Sequence, residues 1–214
     1  MVNVLLLDDH SVVRTGYRRL IDAEPDLRVV AEAATAGEAY ARLQEGRIDL
    51  VVVDISLRGT SGIDAIRRIL SRDPQIRVLV LSMHDNPNIV TQAMRAGALG
   101  YLTKSSEPSE LLDGIRAVAR GRRVLSTDVA QMLAEASLDG EQVLSRLTPR
   151  EFEVLRMLAS GEETREIATH MHLSPKTIHN HLSMVRQKLE TDSDIKLLRL
   201  AVRHGLVDLQ AMAA

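Results

Sequence analysis

The sequence predicts two domains: an α/β domain built on a doubly wound, five-stranded parallel sheet, and a smaller all-α domain of four helices. Three observations predict this division. Through residues 1–120, apolar runs that suit buried strands alternate with segments of helical spacing. Helix start and stop signals, without strand-like runs, fill the last third of the chain. The length of 214 residues also suits two small domains better than one large one.

Five short apolar runs are the predicted strands, each bounded by polar or turn residues. They are Asn3–Leu7, Leu27–Ala31, Leu50–Val53, Ile76–Leu81 and Leu99–Leu102. The predicted helices between and after them are Val12–Ile21, Gly37–Leu43, Ile63–Leu70, Ile89–Ala96 and Leu111–Ala119. Alternation of this kind is typical of a parallel sheet with helices on both faces, in which ligands bind at the carboxyl ends of the strands.

Composition disfavours several classes of function. The chain has no Cys, which excludes a disulfide framework, a thiolate metal site and a thiolate nucleophile. One Phe, three Tyr and no Trp leave little to stack on bases or to line an aromatic ligand cage. A net charge of −2 shows no whole-chain signature of a nucleic-acid-binding protein. Because the apolar runs are too short for a signal peptide or a membrane span, we expect a cytoplasmic protein without a membrane partner.

Residues capable of chemistry follow four of the five predicted strands. Asp8 and Asp9 follow the first, Asp54 the third, Ser82 the fourth and Lys104 the fifth. A single Asp in such a place is often only a helix N-cap. Three carboxylates at one sheet edge, however, repel one another unless a cation lies among them or their pKa values rise. Oxygen ligands without thiolate favour a hard divalent ion, and Mg²⁺ fits best.

This pattern resembles the receiver domains of two-component response regulators, which have a flavodoxin-like sheet, over about residues 1–119. The resemblance implies that Asp54 is the phospho-acceptor. It also implies that Asp9 and Asp54 bind Mg²⁺ directly, that Asp8 helps through water, and that the main-chain carbonyl of Ser56 completes the protein ligands. Tyr101 matches the family's switch aromatic, which turns inward when the hydroxyl residue engages the phosphoryl group.

The same resemblance implies a phosphoryl transfer from a sensor histidine kinase. Asp54 would attack the phosphorus of a phosphohistidine, and the metal ion together with Lys104 and Ser82 would stabilise charge on the transferring group. The family tunes the lifetime of the acyl phosphate at the positions of Ser56 and His84. The protein is therefore not expected to be an enzyme beyond catalysing its own phosphorylation and dephosphorylation.

The helical half begins after a candidate linker, residues 121–145, which holds one predicted helix after Ser126 and a polar turn at Asp139 and Gly140. The predicted domain, residues 146–214, opens with a capping box from Thr148 to Glu151. Its helices are predicted from Thr148 to about Gly161, from Thr164 to Met171, from Pro175 to Leu189 and from Asp194 to about His204. Short helices joined by the brief turn Leu173-Ser174-Pro175 indicate a helix-turn-helix.

Residues 147–189 resemble the LuxR-type (NarL/FixJ) DNA-binding domain. The matching residues are Leu147, Thr148, Arg150, Glu151, Glu153, Val154, Leu155, Gly161, Glu166, Ile167, Ala168, Ser174, Thr177, Ile178, His181, Lys188 and Leu189. The resemblance implies that the third helix, which holds three cations and no acid, enters the major groove of double-stranded DNA. Its implied phosphate contacts are Ser174, Lys176, Thr177, Arg186 and Lys188, and its implied base contacts are His179, Asn180 and Ser183. Asn can form two hydrogen bonds with adenine, whereas His and Ser do not determine which base is contacted.

The fourth helix forms the dimer contact in members of this family. Its corresponding residues here are Ile195, Leu198, Arg199, Ala201 and Val202. We therefore expect a homodimer on an inverted or direct repeat when the protein is active. RNA polymerase is a further expected partner.

Together the two resemblances imply a transcriptional response regulator whose DNA binding is controlled by phosphorylation of Asp54. The unphosphorylated receiver is expected to pack on the third helix and mask it. One alternative is a phosphorylation-independent regulator whose acid cluster only stabilises the fold. Another is an aspartyl-phosphate phosphohydrolase with Asp8 as nucleophile. Such an enzyme needs a second acid two residues later, where this chain has His10, and it leaves the helical half unexplained. The kinase, the stimulus, the operator and the direction of regulation stay open.

Overall fold

A computed structural model of the protein describes residues 1–57, 61–83, 86–138 and 143–207. Of the residues named above, His84, Asp139 and Gly140 lie outside this part. None of the helices in the described ranges combines the length and the apolar character needed to cross a membrane.

One parallel sheet forms the N-terminal domain, with strand order β2-β1-β3-β4-β5-β6. The strands are β1 (Val2–Leu7), β2 (Leu27–Ala33), β3 (Leu50–Val53), β4 (Arg77–Ser82), β5 (Gly100–Thr103) and β6 (Val124–Leu125). The five predicted strands are all present, and their first residues differ from the prediction by one residue at most.

The sixth strand corrects the prediction of a five-stranded sheet. β6 lies inside the segment predicted as the linker and pairs with β5, Gly100 opposite Val124 and Tyr101 opposite Leu125. Two residues are too few to show a hydrophobic period, so the sequence carries no signal for this strand. As a result, Tyr101 lies on an inner strand and not at the edge of the sheet.

Ten α-helices and one short 3₁₀ turn complete the described part of the fold. The helices of the sheet domain are α1 (Ser11–Asp22), α2 (Ala36–Glu45), α3 (Gly62–Arg72), α4 (Pro87–Arg95) and α5 (Pro108–Ala119). The remaining helices are α6 (Thr127–Leu138), α7 (Pro149–Ala159), α8 (Thr164–His170), α9 (Pro175–Lys188) and α10 (Asp194–Arg203), and the 3₁₀ turn is Val143–Arg146. The helix predicted after Ser126 and the four predicted C-terminal helices are all present.

Side chains on both faces of the sheet are buried, which explains the unbroken apolar runs. On one face, Leu5 and Leu7 of β1 belong to the core that includes α2, α3 and α4. On the other face, Val4 and Leu6 pack with residues of α1 and α5. The first of these cores continues into the helical domain, where it includes Phe152. The doubly wound arrangement is thus confirmed.

Helix α4 holds the chain that leads into the helical domain. The Gln92 side chain is only 1% exposed, and its Nε2 donates to the carbonyls of Leu144, at 3.3 Å, and of Leu147, at 3.1 Å. Arg95, one turn farther along, donates to the carbonyls of Ser145 and Leu147. These bonds satisfy carbonyl groups that immediately precede α7.

Two further contacts join the sheet domain to helix ends of the helical domain. Asn86 accepts from the first turn of α4 through Oδ1, while its Nδ2 donates to the carbonyls of His204, at 2.8 Å, and Gly205, at 3.1 Å. Arg68 of α3 donates to the carbonyl of Met171, just after α8. Carbonyls at helix ends lack partners within their own helix, so they are the natural acceptors for such a surface.

We predict opposite effects from two glycine substitutions. At Gly62, the first residue of α3, an added Cβ would lie 2.5 Å from the Asp54 carbonyl oxygen and 2.5 Å from the Ile55 Cα. Because backbone atoms yield little, Gly62→Ala should destabilise the protein by about 2 kcal/mol. Gly16 in α1 has nothing within 4 Å, so Gly16→Ala should stabilise it by about 0.5–1 kcal/mol. Urea denaturation followed by circular dichroism measures both, and equal midpoints for the two variants would contradict the prediction.

Candidate functional site

Three aspartates converge at the carboxyl edge of the sheet. Asp8 and Asp9 follow β1 and Asp54 follows β3, and these strands are neighbours at the point where the strand order reverses. Asp8 and Asp54 are buried, with 6% and 3% of their surface exposed. One ligand atom from each of Asp8, Asp9, His10 and Asp54 lies within 4.8 Å of all the others. The structure therefore brings together the three carboxylates that the sequence singled out.

Lys104 inserts its ammonium group between two of these carboxylates. Its Nζ lies 2.7 Å from Oδ2 of Asp8 and 2.7 Å from Oδ2 of Asp54. The residue is placed by β5, and its backbone N–H donates to the Ser82 carbonyl at 2.8 Å. Only 8% of the Lys104 side chain is exposed, so the pair of salt bridges is largely shielded from solvent.

The two partners shift each other's protonation in opposite directions. Burial raises the pKa of the Asp8 carboxyl, but hydrogen bonds from Lys104 and from the His10 amide outweigh it, and that pKa lies below its ordinary value. Burial lowers the pKa of the Lys104 ammonium, yet its hydrogen bonds to Asp54 and Asp8 raise it above its ordinary value. Both groups are therefore held in their charged forms.

His10 is the site residue that sequence reasoning missed. Its Nδ1 lies 3.1 Å from Oδ1 of Asp8 and 3.0 Å from Oδ1 of Asp9, and its backbone N–H donates to Oδ1 of Asp8 at 2.7 Å. Its place directly after an acidic pair at a strand end was the available signal. In the sequence, the same residue only counted against a phosphohydrolase, which needs an acid at that position.

Three further residues belong to the predicted acceptor site. The backbone N–H of Ser56 donates to Oδ1 of Asp54 at 3.1 Å. Ser82 and Tyr101 are fully buried, Ser82 at the end of β4 and Tyr101 in β5. The aromatic ring therefore occupies an inward position in this structure. With carboxylate oxygens as its main donors, the site suits a hard divalent cation.

Helix α9 presents one buried and one exposed face. Ile178, Leu182 and Val185 are buried within the helical domain. The opposite face exposes the side chains of Lys176, His179, Asn180, Ser183 and Gln187. The three predicted base contacts are thus open to solvent. Gln187, which sequence reasoning did not select, extends the same exposed stripe by one turn.

Two of the three cations of α9 are engaged within the helical domain. Lys188 Nζ lies 2.6 Å from Oε2 of Glu151, and Arg186 Nη2 lies 2.6 Å from Oδ1 of Asp194. Burial raises the pKa of Glu151, but the hydrogen bonds from Lys188 and from the backbone of Thr148 lower it more, to below its ordinary value. Among the described residues, Lys176 forms no such ion pair. Its ammonium group is therefore the one of the three that is available to phosphate without breaking a salt bridge.

The two hydroxyls at the start of α9 serve the helix cap. Ser174 Oγ accepts from the backbone N–H of Thr177 at 3.1 Å and lies 2.8 Å from Thr177 Oγ1. This is the N-cap that the Ser-Pro signal predicts. Both hydroxyls are solvent-accessible at the same end of the helix as Lys176.

Both halves of the chain match known families. Residues 4–116 match the family "Response regulator receiver domain", and residues 145–201 match "Bacterial regulatory proteins, luxR family". The chain belongs to the response regulators with a LuxR-type DNA-binding domain. It is accordingly a DNA-binding transcriptional regulator and not a conventional enzyme.

Relatives of this response regulator match it over nearly the whole length. Response regulator UvrY of Escherichia coli K12 is 33% identical over 217 residues and covers 100% of both chains. Transcriptional regulatory protein UhpA of Escherichia coli K12 is 40% identical over 200 residues, covering 93% of this chain and 97% of UhpA. RcsB from Salmonella enterica serovar Typhimurium, bound to promoter rprA with phosphomimetic BeF₃⁻, is 28% identical with a TM-score of 0.73. That match covers 92% of this chain and 96% of RcsB.

The expectation that the receiver masks the third C-terminal helix is wrong for this structure. The receiver of the response regulator bonds to carbonyls before α7, after α8 and after α10, and the outer face of α9 stays exposed. The physical reason is that the unpaired carbonyls at helix ends accept bonds from α3 and α4. The exposed face of α9, in contrast, presents side chains and not helix-end carbonyls.

The predicted dimer helix is partly exposed. Ile195 is 68% exposed and Leu198 is 37% exposed, and both line a groove with Leu155 and Leu158 of α7. Ala201, however, is fully buried in the core of the domain. Ile195 and Leu198 therefore form an exposed apolar surface on α10, whereas the predicted contact residue Ala201 is buried and not part of that surface.

Removing Lys104 should destabilise the response regulator in the presence of a chelator. In Lys104→Met, Asp8 and Asp54 lose their buried cation, and we expect a loss of about 3 kcal/mol in the free energy of unfolding at pH 7. The pKa of Asp8 lies below its ordinary value of 3.8, so its pairing stabilises the fold above that pH. The deficit should therefore shrink as the pH falls below about 4. Urea titrations over a pH series measure it.

Lys196→Met supplies the control for that experiment. Lys196 of α10 is 61% exposed and pairs with Asp192, so its loss should leave the free energy of unfolding nearly unchanged at any pH. The double variant Lys104→Met/Asp54→Asn should recover part of the lost stability, since it also removes one unpaired carboxylate. Equal stability of Lys104→Met and the wild type at pH 7 would show that the buried pair does not stabilise the fold.

Proposed function

We propose that Asp54 accepts a phosphoryl group and that this modification controls the binding of double-stranded DNA. The observation that carries the proposal is the contact of Lys104 Nζ with Asp8 and Asp54, at 2.7 Å from each. A carboxylate nucleophile beside a fixed ammonium and further carboxylates is an arrangement suited to phosphoryl transfer. The family supplies the expectation that this transfer comes from a sensor histidine kinase.

The acidic residues would hold Mg²⁺ as the cofactor. Asp8, Asp9 and Asp54 provide carboxylate oxygens within one cluster, and the main-chain carbonyl of Ser56 is the expected additional ligand. When bound, the ion would neutralise charge on the phosphoryl oxygens. This fit is supported by the oxygen-rich donor set and by the absence of Cys from the sequence.

The chain's own groups account for the remaining steps. An Asp54 carboxylate oxygen forms the new bond to phosphorus as the phosphorus–nitrogen bond of the phosphohistidine breaks. The electron pair of the broken bond stays on the imidazole nitrogen, which takes a proton from solvent. Lys104 is placed to pair with the added negative charge, because its ammonium already contacts Asp54. Ser82, buried at the end of β4, would donate its hydroxyl to a phosphoryl oxygen, and Tyr101 would follow it as the switch.

The DNA interface would be the exposed face of α9 inserted into the major groove. Lys176, with the Ser174 and Thr177 hydroxyls, would contact phosphates, and His179, Asn180 and Ser183 would face base edges. Arg186 and Lys188 would reach phosphate only by exchanging their acidic partners for it. The DNA-bound structure of RcsB, which shares this architecture, supports the proposal.

Assembly and location follow from the same proposal. Two copies would associate through Ile195 and Leu198 of α10 when the protein is phosphorylated, and would bind RNA polymerase at the promoter. Such action on chromosomal DNA places the protein in the cytoplasm. The domain limits that we propose are 1–120 for the receiver, 121–145 for the linker, whose Val124 and Leu125 add β6 to the receiver sheet, and 146–214 for the DNA-binding domain.

A second candidate function is regulation that does not depend on phosphorylation. The two salt bridges of Lys104 favour it, because they neutralise the acid cluster without any phosphoryl group. Under this alternative the cluster stabilises only the fold. DNA binding would then be the same with and without beryllofluoride, whereas the first proposal expects it to strengthen.

Phosphoryl labelling should depend on Asp54. Incubated with phosphoramidate and Mg²⁺, the wild type should gain one phosphoryl group per chain, and Asp54→Asn should gain none, because the amide is not a nucleophile for phosphorus. A chelator should abolish the gain in the wild type. Intact-protein mass spectrometry measures it. Asp113→Asn, at a carboxylate that is 79% exposed on α5, is the control and should be labelled normally. Labelled Asp54→Asn would show that the acceptor lies elsewhere.

Lys176 should contribute to the salt dependence of DNA binding. On a random-sequence duplex, Lys176→Ala should weaken binding several-fold at low salt and reduce the slope of log K against log salt by about 1 per protomer. Gel-shift titrations over a salt series measure the slope. Lys196→Ala, at an exposed lysine of α10, is the matched control and should leave the slope unchanged. Identical slopes for Lys176→Ala and the wild type would remove Lys176 from the interface.

A further inference from the structure

His179 has a hydrogen bond that determines which of its ring nitrogens carries the proton. Its Nδ1 lies 2.8 Å from the carbonyl oxygen of Pro175, one helical turn earlier. A carbonyl oxygen only accepts, so Nδ1 must be the donor. In the neutral imidazole Nε2 is then without a proton and acts as an acceptor.

The position of the ring is set by the structure of the helix around it. Ser174 caps α9 and Pro175 occupies its first position, so the Pro175 carbonyl belongs to a rigid first turn. The buried neighbours Ile178 and Leu182 hold the helix against the domain and turn His179 outward. Because the ring is already bonded to the backbone, it loses little rotamer freedom on meeting a ligand.

We infer that His179 accepts a hydrogen bond from the exocyclic amine of the base pair that it reads, cytosine N4 or adenine N6, and so distinguishes the two orientations of that pair. This inference rests on the proposed function, in which α9 enters the major groove. Cytosine offers only its N4 amine there and adenine its N6 amine, both donors to the Nε2 acceptor. Guanine offers O6 and N7, and thymine offers O4 and a methyl group, so neither supplies the donor that Nε2 needs.

A cationic residue at position 179 would make a different contact from the one expected of His179. A lysine at position 179 has donors only and would pair with O6 and N7 of guanine. His179→Lys should therefore make binding independent of the exocyclic amine at that position of the site. His179→Ala should remove the preference altogether and weaken binding by about three- to tenfold, the value of one hydrogen bond.

The test is selection from a library of random duplexes at pH 8, with the full-length protein in beryllofluoride. The wild type, His179→Ala and His179→Lys are compared, and the position read by His179 is the one whose preference His179→Ala loses. His172→Asn is the control. His172 is an exposed histidine before α9 with φ of +49°, a conformation that Asn tolerates, and its replacement should change no preference.

At the position read by His179, the amine-bearing base of the selected pair is then replaced by an analogue without the amine, 2-pyrimidinone for cytosine or purine for adenine. The inference is supported if this replacement weakens wild-type binding by about as much as His179→Ala does and weakens binding of His179→Ala no further. For an A·T pair, 7-deazaadenine, which keeps the N6 amine but lacks N7, should bind within twofold of adenine, and weaker binding overturns the inference. Binding that the loss of the amine leaves unchanged, or a selection that His179→Ala leaves unchanged, overturns it while leaving DNA binding intact. If the wild type enriches no duplex, the proposed function itself fails and the inference falls with it.

Discussion

The salt bridges from Lys104 to Asp8 and Asp54 are the interaction on which the site depends. Parallel strands end at the same edge of the sheet, so β1 and β3 bring their acids together although the negative charges repel one another. Buried carboxylates without a cation would be costly. Lys104 supplies one from β5, two strands beyond β3 in the sheet. A divalent ion or a phosphoryl group entering the cluster therefore changes a charge balance that already includes three strands.

Helix α4 connects that edge of the sheet with the DNA-binding domain. Ser82 ends β4, and Asn86 caps α4 four residues later while bonding to the carbonyls that follow α10. Gln92 and Arg95 bond to the chain that leads into α7. A shift of α4 would disturb both attachments at once. The receiver in this arrangement constrains where the DNA-binding domain lies and leaves the outer face of α9 exposed.

Much of this arrangement was open to prediction, but individual contacts were not. Apolar runs ending in Asp8 and Asp54 predicted strands and a site at their ends, because continuous burial has a distinct pattern. His10 was missed, because the turn that brings its ring to the acids depends on local backbone geometry. The pairing of Lys188 with Glu151 joins residues of two helices, and no spacing within either helix reveals it. Strand β6 was too short to leave a periodic signal.

By itself the sequence determined the two domains, the parallel sheet and the helix-turn-helix, together with the carboxylates, lysine and hydroxyl placed after the strands. These follow from hydrophobic period, helix caps and residue order, which are local properties. Only the tertiary structure decided that Lys104 neutralises Asp8 and Asp54, that α9 keeps Lys176 unpaired among the described residues, and that the receiver holds helix ends rather than α9. Those outcomes depend on which distant groups meet, since donors and charges pair through space and not along the chain.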